Sequence, residues 1–600
     1  MNIFVRKLAS LRKFIIYPFL IINLILLIYI HKTDLHLQFG WAIFYFWLFN
    51  YCTAILFVIF TVPISVKSRL QHIIKKDFKI LTLILFIGLF TRFFLITNYP
   101  YVKIGDELRD AGLNALRIYQ GSIKDFFGFG PYESHTNFIP LISYFFGIFL
   151  KNSTLTYLIP TALIGVLTII LTYIVTRAWQ GRIAGIFASL FLTASIFHLH
   201  YSRTELVIIS DSLLSIMVIA AIYLSLYSKI GFLLIGLVYG LALHFYAGIR
   251  GILLISFLYL CLIAIIKLYS KFMTNRENLF LSIKKVIFCG VIFFIGFSVG
   301  LGPVVNNMTK DNLFSRIGTT KPITDTADFP NKNLIKKISF IYEQYKEAFL
   351  VYSFKPASDH RLGFNYNAPL LSFPMDLLFL FGLLFLTVIA VKDKFAGLII
   401  INILLFPLTN QVMINQIGKE HRLLAIIPPL CIVAAFGLVK ILKLIKLRYA
   451  QYIILSITFV AIAYHLFFYY YERPSDVGYD TKEYVLQNIL DYIKRDTSFN
   501  KYYLLNDDYY NYNYLQYLEK IEFITFPKNV HLLDKNSFLE KLPKKYSNET
   551  KTNFIFIKPI PELSIYSKKL FTVNCAVKEL LPKYNCPIGF TGSYSFYSLD

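Results

Sequence analysis

The segment that decides the fold reads KILTLILFIGLFTRFFLIT over residues 79–97 and continues as NYPYVKIGDELRD over 98–110. The first part has 19 residues, which is long enough to cross the hydrocarbon core of a bilayer as a helix. The second part places three carboxylates and one arginine within five residues, at 106–110. Packing gives no reason for this acidic cluster, so it is either a functional feature or a solvated loop.

Apolar segments recur along most of the chain. Hydrophobic residues make up 56% of its 600 residues, and fourteen segments are candidate spans, at 14–31, 39–63, 79–97, 136–150, 154–176, 183–200, 206–228, 231–246, 251–267, 285–304, 370–391, 396–410, 421–440 and 450–471. The net charge is +25, but Lys and Arg cluster in short loops between these segments, which is the positive-inside pattern. The distribution of Lys and Arg therefore predicts how the chain is oriented in a membrane, and it argues against nucleic acid as a partner.

Segment 136–150 determines the predicted topology. As a helix it would extend about 22 Å, whereas a span needs about 30 Å. If it spanned the membrane, the basic loops at 177–182 and 267–285 would lie outside; if it lies along the outer surface, every later basic loop falls inside. The sequence therefore predicts an interfacial helix at 136–150, thirteen spans, a cytoplasmic N-terminus and a C-terminus outside.

Apart from charges within two residues of a segment end, three charged residues fall inside predicted spans, and all three lie near predicted outer ends: Arg92, Asp211 and Asp376. At mid-membrane each would cost about 2.5–3.5 kcal/mol. A position at the outer rim beside a watery cavity lowers that cost. Such residues are functional candidates by default, although Asp211 could equally form a structural pair with a neighbouring cation.

The polar tail, residues 472–600, differs from the rest of the chain. It has a helical pattern at 481–495 and short strand-like runs at 501–505, 521–526 and 553–558, which predict a small extracytoplasmic α/β domain. Cys575 and Cys586 lie in this tail and could form a disulfide if it is outside the cytoplasm.

The predicted outer loops carry a series of motifs: Gly105-Asp106-Glu107-x-Arg109, Glu133-Ser134-His135 before Pro140-Leu141, His200-Tyr201-Ser202-Arg203, Leu243 to Arg250, Phe314-Ser315-Arg316, Asp359-His360-Arg361, and His421-Arg422-Leu423 before Pro428-Pro429. In their order and common outer placement, over about 79–440, they resemble the GT-C class of membrane glycosyltransferases. Within that class the chain is most similar to the branch of the protein mannosyltransferases and the lipid A aminoarabinose transferase.

The resemblance implies a sugar transferase that uses a polyprenyl-phosphate donor. A base must take the proton of the acceptor hydroxyl as it attacks the anomeric carbon. The motif match assigns this role to Asp106, with Glu107 orienting it or sharing its charge. The two carboxylates could instead hold a divalent cation, since hard cations prefer carboxylate oxygens. Both possibilities are open at this point; no other cofactor is expected.

The leaving lipid phosphate gains charge in the transition state and needs fixed cations. Arginine suits phosphate because its guanidinium binds in a bidentate way. The candidates for the donor phosphate are Arg203, Arg250, Arg316, His421 and Arg422. Further candidate site residues are Arg109, Glu133, His135, Glu205, Asp211, Asp359 and Arg361. Membrane anchoring at the headgroups is the simpler explanation for Arg203.

The prediction is a polytopic α-helical membrane protein of GT-C type. It has an N-terminal transmembrane hairpin (1–78), a transmembrane catalytic domain (79–471) with outer loops 98–153 and 305–369, and the tail domain (472–600).

The predicted function is a plasma-membrane glycosyltransferase, hexosyl or pentosyl, acting on a lipid, glycan or protein acceptor at the outer face. The alternatives are a transporter or lipid flippase, in which charges gather near the midplane, and a polysaccharide polymerase.

Overall fold

The computed structural model describes residues 17–26, 28–30, 35–97, 108–129, 135–150, 154–204, 206–274, 277–307, 333–359, 364–413, 420–472, 501–506, 529–534, 552–556, 567–574 and 593–599. Residues 17–26 and 28–30 are helical. The α-helices that follow are α1 (Leu35–Thr61), α2 (Ile64–Lys76), α3 (Phe78–Phe93), α4 (Asn114–Tyr119), α5 (Phe138–Leu150), α6 (Leu155–Gln180), α7 (Arg182–Ala194), α8 (Ile196–Thr204), α9 (Leu206–Ser225), α10 (Gly231–Ala242), α11 (Arg250–Thr274), α12 (Glu277–Leu301), α13 (Leu334–Leu350), α14 (Met375–Ala390), α15 (Lys394–Pro407), α16 (Ile427–Leu444) and α17 (Arg448–Phe467).

Each of the fourteen apolar segments coincides with helical structure. In the described part of the chain, eight helical segments are long and apolar enough to cross a membrane, and the bent pair α7–α8 makes a ninth if it counts as one span. The chain is therefore a polytopic helical membrane protein, as predicted. The total of thirteen spans and the side of the membrane on which each terminus lies stay predictions.

The first basic loops gather at one end of the helix bundle, called here the basic end. Asp77 accepts hydrogen bonds from Arg177 Nε and Arg182 Nε, both at 2.7 Å. Trp179 Nε1 donates to Asp393 Oδ2 at 2.8 Å, which places the start of α15 at the same end. These contacts join the predicted inner loops at 67–79, 177–182 and 392–394, as the charge pattern required.

Helices α3 and α6 are antiparallel neighbours. Asp77, just before α3, contacts Arg177 near the end of α6, while a Cβ placed on Gly165 would lie 3.7 Å from Arg92 Cγ, near the end of α3. The chain therefore leaves α3 and enters α6 at the same end of the bundle, opposite the basic end. The 13-residue helix α5 lies between them in sequence, so this geometry agrees with a surface helix rather than a span.

The span predicted at 183–200 is broken. Helices α7 and α8 meet at Ser195 with a bend of 61°. The last carbonyls of a helix lack backbone donors, and the Arg92 guanidinium supplies them: Nη1 donates to Thr193 O at 3.0 Å and Nη2 to Leu192 O at 3.3 Å. Arg92 Nη2 also lies 3.0 Å from His198 Nδ1. Arg92 is fully buried and fixes the bend.

Glycines allow two helix pairs to pack backbone against backbone. A Cβ at Gly236 or Gly240 of α10 would collide with the backbone of α12, and a Cβ at Gly296 or Gly300 would collide with α10. Each helix thus carries two glycines four residues apart, which is the small-residue spacing of close membrane helix pairs. Gly382 of α14 and Gly437 of α16 form a similar contact.

Helix α1, from the predicted N-terminal hairpin, packs against the α10–α12 pair. Trp47 is 1% exposed and its Nε1 donates to Val299 O at 2.9 Å. Phe126 and Phe127, from the loop after α4, complete an aromatic cluster around Trp47. The predicted hairpin and the loop after α4 are therefore joined through one core.

Two sheets are present among the described residues. The short strands β1 (Ala357–Asp359) and β2 (Phe364–Ala368) pair antiparallel. In the tail, β3 (Lys501–Asn506), β4 (Asn529–Asp534), β5 (Thr552–Phe556), β6 (Ser567–Asn574) and β7 (Ser593–Leu599) form a mixed sheet of order β4-β3-β5-β7-β6. The pairs β3–β4 and β3–β5 are parallel, whereas β5–β7 and β6–β7 are antiparallel. The predicted helix at 481–495, the predicted strand at 521–526 and both tail cysteines lie outside the described residues, so the α/β class of this domain stays a prediction.

Candidate functional site at the end opposite the basic loops

Three irregular segments meet at the end opposite the basic loops, around the first turns of α9. They are a 3-10 turn at Ala247–Ile249, a π-helix at Leu408–Val412 and a 3-10 segment at Glu420–Ile426. A π-helix leaves the regular backbone hydrogen-bond pattern and often occurs at functional sites. Non-helical backbone at membrane depth is tolerated only inside protein or beside a watery cavity. This cluster of segments is the candidate site.

Asp211 anchors the first of these segments to α9. Its side chain is 1% exposed, accepts a hydrogen bond from the backbone of Ile249 and interacts electrostatically with Arg250. A Cβ on Gly248 would collide with Asp211 Oδ2, so only glycine lets the turn approach the carboxylate this closely. Asp211 thus holds Arg250 at the start of α11.

Asn410, in the π-helix, joins the other two segments. Its Nδ2 donates to Gly248 O at 2.5 Å and to Arg422 O at 3.2 Å. The side chain is buried, and a Cβ on Gly251 would collide with its Oδ1. One amide therefore ties the backbone of Arg422 to the turn that carries Arg250.

Arg422 is 7% exposed. Its Nε is buried and has no hydrogen-bond partner in the described part of the chain. None of the ion pairs between described residues includes Arg422. A buried guanidinium is costly unless an anion or several acceptors compensate it. The position of Arg422 is therefore suited to an anionic ligand.

His421 precedes Arg422 and faces Tyr246. The hydroxyl of Tyr246 lies 3.2 Å from His421 Nε2, and the two ring centroids are 6.1 Å apart. This contact connects the segment at Glu420–Ile426 to the residues just before the Ala247–Ile249 turn. His421 thus has a fixed position beside Arg422.

Arg203 lies in a different cluster. It is fully buried, and its Nη1 donates to Arg92 O at 2.8 Å and to Thr91 O at 3.3 Å. Its guanidinium also lies 5.3 Å from the ring of Tyr470, whose hydroxyl donates to Thr91 O. Cations favour the C-terminal end of a helix, so at least part of this guanidinium stabilises the end of α3. The predicted phosphate role of Arg203 is not tested by these contacts.

His135 belongs to a third group, at the start of α5. It is 1% exposed, and its Nδ1 lies 3.2 Å from Thr136 O. Thr136 N donates to His244 O at 3.1 Å, and His244 Nε2 lies 3.1 Å from Leu301 O. These bonds fasten the loop before α5 to the ends of α10 and α12.

Several predicted site residues lie outside the described part of the chain: Asp106, Glu107, Glu133, Glu205, Arg316 and Arg361. Arg109 and Asp359 are described by their backbone, Arg109 in a π-helix at Leu108–Leu113 and Asp359 at the end of β1. In the described segments, no group of three or more His, Cys, Asp and Glu residues is placed to hold a metal ion. The cation predicted at Asp106 and Glu107 stays a prediction.

The structure thus brings together four predicted residues: Asp211, Arg250, His421 and Arg422. The residues that join them, Tyr246 and Asn410, were not predicted as site residues. Asn410 is a polar residue at the end of an apolar segment, which is a signal that could have drawn attention to it.

Comparison with solved structures finds similar chains. The archaeal oligosaccharyltransferase AglB from Archaeoglobus fulgidus, in complex with an inhibitory peptide and a dolichol-phosphate, is similar over 81% of this chain and 70% of its own, at 12% identity and a TM-score of 0.45. ArnT from Cupriavidus metallidurans bound to undecaprenyl phosphate is similar over 86% of this chain and 97% of its own, at 12% identity and a TM-score of 0.43.

Both structural neighbours are GT-C membrane glycosyltransferases, the class that the sequence motifs resemble. No protein-family model and no curated protein matches the chain.

Proposed function

We propose that this protein is a glycosyltransferase of the plasma membrane that moves a hexosyl or pentosyl group from a polyprenyl-phosphate donor to an acceptor hydroxyl. The acceptor is a lipid, a glycan or a protein. The site faces the outside, because the basic loops at the other end of the bundle belong in the cytoplasm by the positive-inside rule. The same rule supports a cytoplasmic N-terminus and a tail domain outside.

The observation that carries this proposal is the environment of Arg422. The residue is 7% exposed, its Nε is buried, and no described carboxylate forms an ion pair with it. Arg250, by contrast, has Asp211 as a counter-charge. A phosphate monoester or diester oxygen would supply the missing anion at Arg422 through charge-assisted hydrogen bonds. His421, held by Tyr246, is placed to contribute a further donor.

The proposed reaction is a displacement at the anomeric carbon. The acceptor oxygen forms the new C–O bond, the bond from the anomeric carbon to the phosphate oxygen breaks, and the lipid phosphate leaves with the electron pair. Arg422 and Arg250 stabilise the charge that develops on this phosphate. Asp106 takes the proton of the acceptor hydroxyl, with Glu107 beside it; a divalent cation held by the same two carboxylates is the alternative.

The test is sugar transfer from a panel of labelled polyprenyl-phosphate sugars in membranes that contain the full chain. Loss of one charge-assisted hydrogen bond costs about 1.5–3 kcal/mol, so Arg422→Met should lower kcat/KM roughly 10- to 150-fold. Arg422→Lys keeps the charge and should recover part of this loss. Arg448→Gln, at the start of α17 near the basic end, is the matched control and should behave as wild type.

Asp106→Asn separates the catalytic assignment from the binding assignment. It should abolish transfer and leave donor binding intact, because the amide cannot accept the proton. Full activity in this variant removes Asp106 as the base. Equal activity of Arg422→Met and wild type removes the phosphate site. Movement of the labelled donor across the bilayer without any transfer would favour the flippase alternative.

A further inference from the structure

Gln411, in the π-helix of the candidate site, is buried without a hydrogen bond to its side chain. The residue is 0% exposed. Neither its Nε2 nor its Oε1 has a hydrogen-bond partner among the described residues. Burying an amide in this way is costly, and most buried polar atoms in folded proteins are paired. The side chain of Gln411 therefore calls for a partner that the fold itself does not supply.

Two other buried amides of the same candidate span, residues 394–412, are paired by the fold. Asn402 Nδ2 donates to Leu398 O at 2.9 Å and to Ser256 Oγ at 3.2 Å. Asn410 Nδ2 donates to the two carbonyls that it joins in the candidate site. Gln411 follows Asn410 directly and has no such contact. Burial in this span thus does not by itself leave an amide unpaired.

The contacts of the π-helix show where the Gln411 side chain lies. Leu408 and Val412 pack on one side, against α13. Asn410 faces the other way and bonds the backbone carbonyl of Arg422. Successive residues of a π-helix are about a quarter of a turn apart. Gln411 therefore projects between these two sides, from one flank of the π-helix.

The other flank of the π-helix is already occupied. It carries Thr409, whose Oγ1 would lie 2.7 Å from a Cβ placed on Gly251, at the start of α11. Gln411 therefore points away from α11, towards the junction between α13 and the segment that carries Arg422. The buried amide is thus placed beside the segment of the proposed phosphate-binding arginine.

We propose that Gln411 is a specificity-determining residue that binds two neighbouring hydroxyl groups of the transferred sugar. A carboxamide carries an acceptor oxygen and an NH2 donor in one plane, and two adjacent ring hydroxyls match this pair. The amide is neutral, so it suits hydroxyl groups better than a second phosphate. A sugar whose phosphate is bound at Arg422 carries its ring hydroxyls close to that phosphate. This inference rests on the proposed sugar transfer.

The unpaired amide predicts two signatures. A site built to hydrogen-bond a substrate hydroxyl rejects an analogue without it, because the buried group then stays unpaired. Before the sugar binds, the same unpaired group lowers the stability of the protein, as is common for residues kept for function. Removal of the amide should therefore weaken sugar recognition and stabilise the empty protein at the same time.

The first measurement is a double-mutant cycle between Gln411 and the sugar, in membranes that contain the full chain. The probes are the labelled polyprenyl-phosphate sugar that the wild-type chain transfers and its deoxy analogues, each with one ring hydroxyl replaced by hydrogen. Gln411→Met should lower kcat/KM for the parent sugar about 10-fold or more. For the analogues that lack a contacted hydroxyl, the effect should be clearly smaller.

Asn402→Leu is the matched control, since it removes a buried amide whose partners are protein groups. It should leave the ratio of kcat/KM between the parent sugar and each deoxy analogue as in wild type. An equal effect of Gln411→Met on the parent sugar and on every analogue overturns the hydroxyl contact. Wild-type transfer of the parent sugar by Gln411→Met overturns it as well and leaves the proposed transferase intact.

The second measurement needs no transfer. Without any donor, Gln411→Met should raise the melting temperature of the detergent-solubilised full chain by about 1–3 °C. Asn402→Leu should lower the melting temperature, because Ser256 Oγ loses its partner. The parent probe should then raise the melting temperature more in wild type than in Gln411→Met.

These results also separate the inference from the proposed function. A lower melting temperature of empty Gln411→Met shows that the amide has a partner in the fold and overturns the inference. A wild-type chain that neither transfers nor binds any polyprenyl-phosphate sugar refutes the proposed function, and the Gln411 contact fails with it. Transfer with full hydroxyl discrimination in Gln411→Met refutes the Gln411 contact alone.

Discussion

Replacing Arg92 by methionine should destabilise the bundle through the bend between α7 and α8. Methionine keeps most of the side-chain length but has no donor, so Leu192 O, Thr193 O and His198 Nδ1 lose their partner. Hydrogen bonds between membrane helices contribute about 0.6–1.7 kcal/mol each. Three of them give about 2–5 kcal/mol. Removing a buried charge recovers part of this free energy, so we expect the free energy of unfolding to fall by about 2–3 kcal/mol.

The assay is the free energy of unfolding in mixed micelles, followed by circular dichroism during titration with a denaturing detergent. Arg92→Lys restores one donor and should recover about 1 kcal/mol of the loss. Arg69→Met is the matched control, since it removes an arginine that is exposed and bonds one carbonyl, Ala178 O; it should change stability by about 0.5 kcal/mol or less. Arg92→Met within that range of wild type would falsify the role of Arg92 in fixing the bend.

Three further predictions concern stability. Burial raises the pKa of Asp77, but hydrogen bonds from Arg177 and Arg182 outweigh this effect and hold the pKa below its ordinary value. The ionised Asp77 therefore stabilises the fold at any pH above its pKa in the unfolded state. This stabilisation is lost as the pH falls through the lower pKa of the folded state. Asp77→Asn should cost about 1.5–3 kcal/mol and flatten the pH dependence of unfolding below about pH 4; an unchanged dependence of stability on pH in that range contradicts this. Gly240→Leu should cost about 1–3 kcal/mol by collision with α12, whereas Gly290→Leu on α12, where a Cβ meets nothing within 4 Å, should be neutral by thermal melting; equal effects of the two would refute the close contact. Trp47→Phe should lower the melting temperature by leaving Val299 O without its donor, at a cost of about 1 kcal/mol, and an unchanged melting temperature would exclude that bond.

The helices could be predicted from sequence because hydrophobic length is a local property. Each of the fourteen apolar segments is helical in the structure, and the length of the segment at 136–150, with the charges that follow it, predicts a helix along the membrane surface. The break at Ser195 could not be predicted in this way. It depends on Arg92, about one hundred residues earlier in the chain, which offers its donors to the carbonyls of Leu192 and Thr193.

The site was predictable only in part, for a similar reason. Asp211, Arg250, His421 and Arg422 could be placed at one end of the bundle from the alternation of spans and the motif order. Their association depends on Asn410, which donates to Arg422 O and, across a sequence separation of 162 residues, to Gly248 O. No local pattern encodes a hydrogen bond of that range, so the sequence predicted the members of the cluster and not the residue that connects them.

The arginines at this end of the bundle divide by what their donors contact. Arg92 donates hydrogen bonds from its guanidinium to the carbonyls at the end of α7, where the helix is broken. Arg203 donates from Nη1 to a carbonyl at the end of α3. Arg422 differs from both, because its hydrogen bond to another described residue is made by its backbone carbonyl and not by its guanidinium. Asn410 fixes the backbone of Arg422, while no described carboxylate pairs with the Arg422 side chain. The fold therefore holds a cation at a defined position. Binding energy is then available when an anion arrives, without the cost of first breaking a protein contact, and the proposed sugar transfer needs this preorganisation at its leaving phosphate.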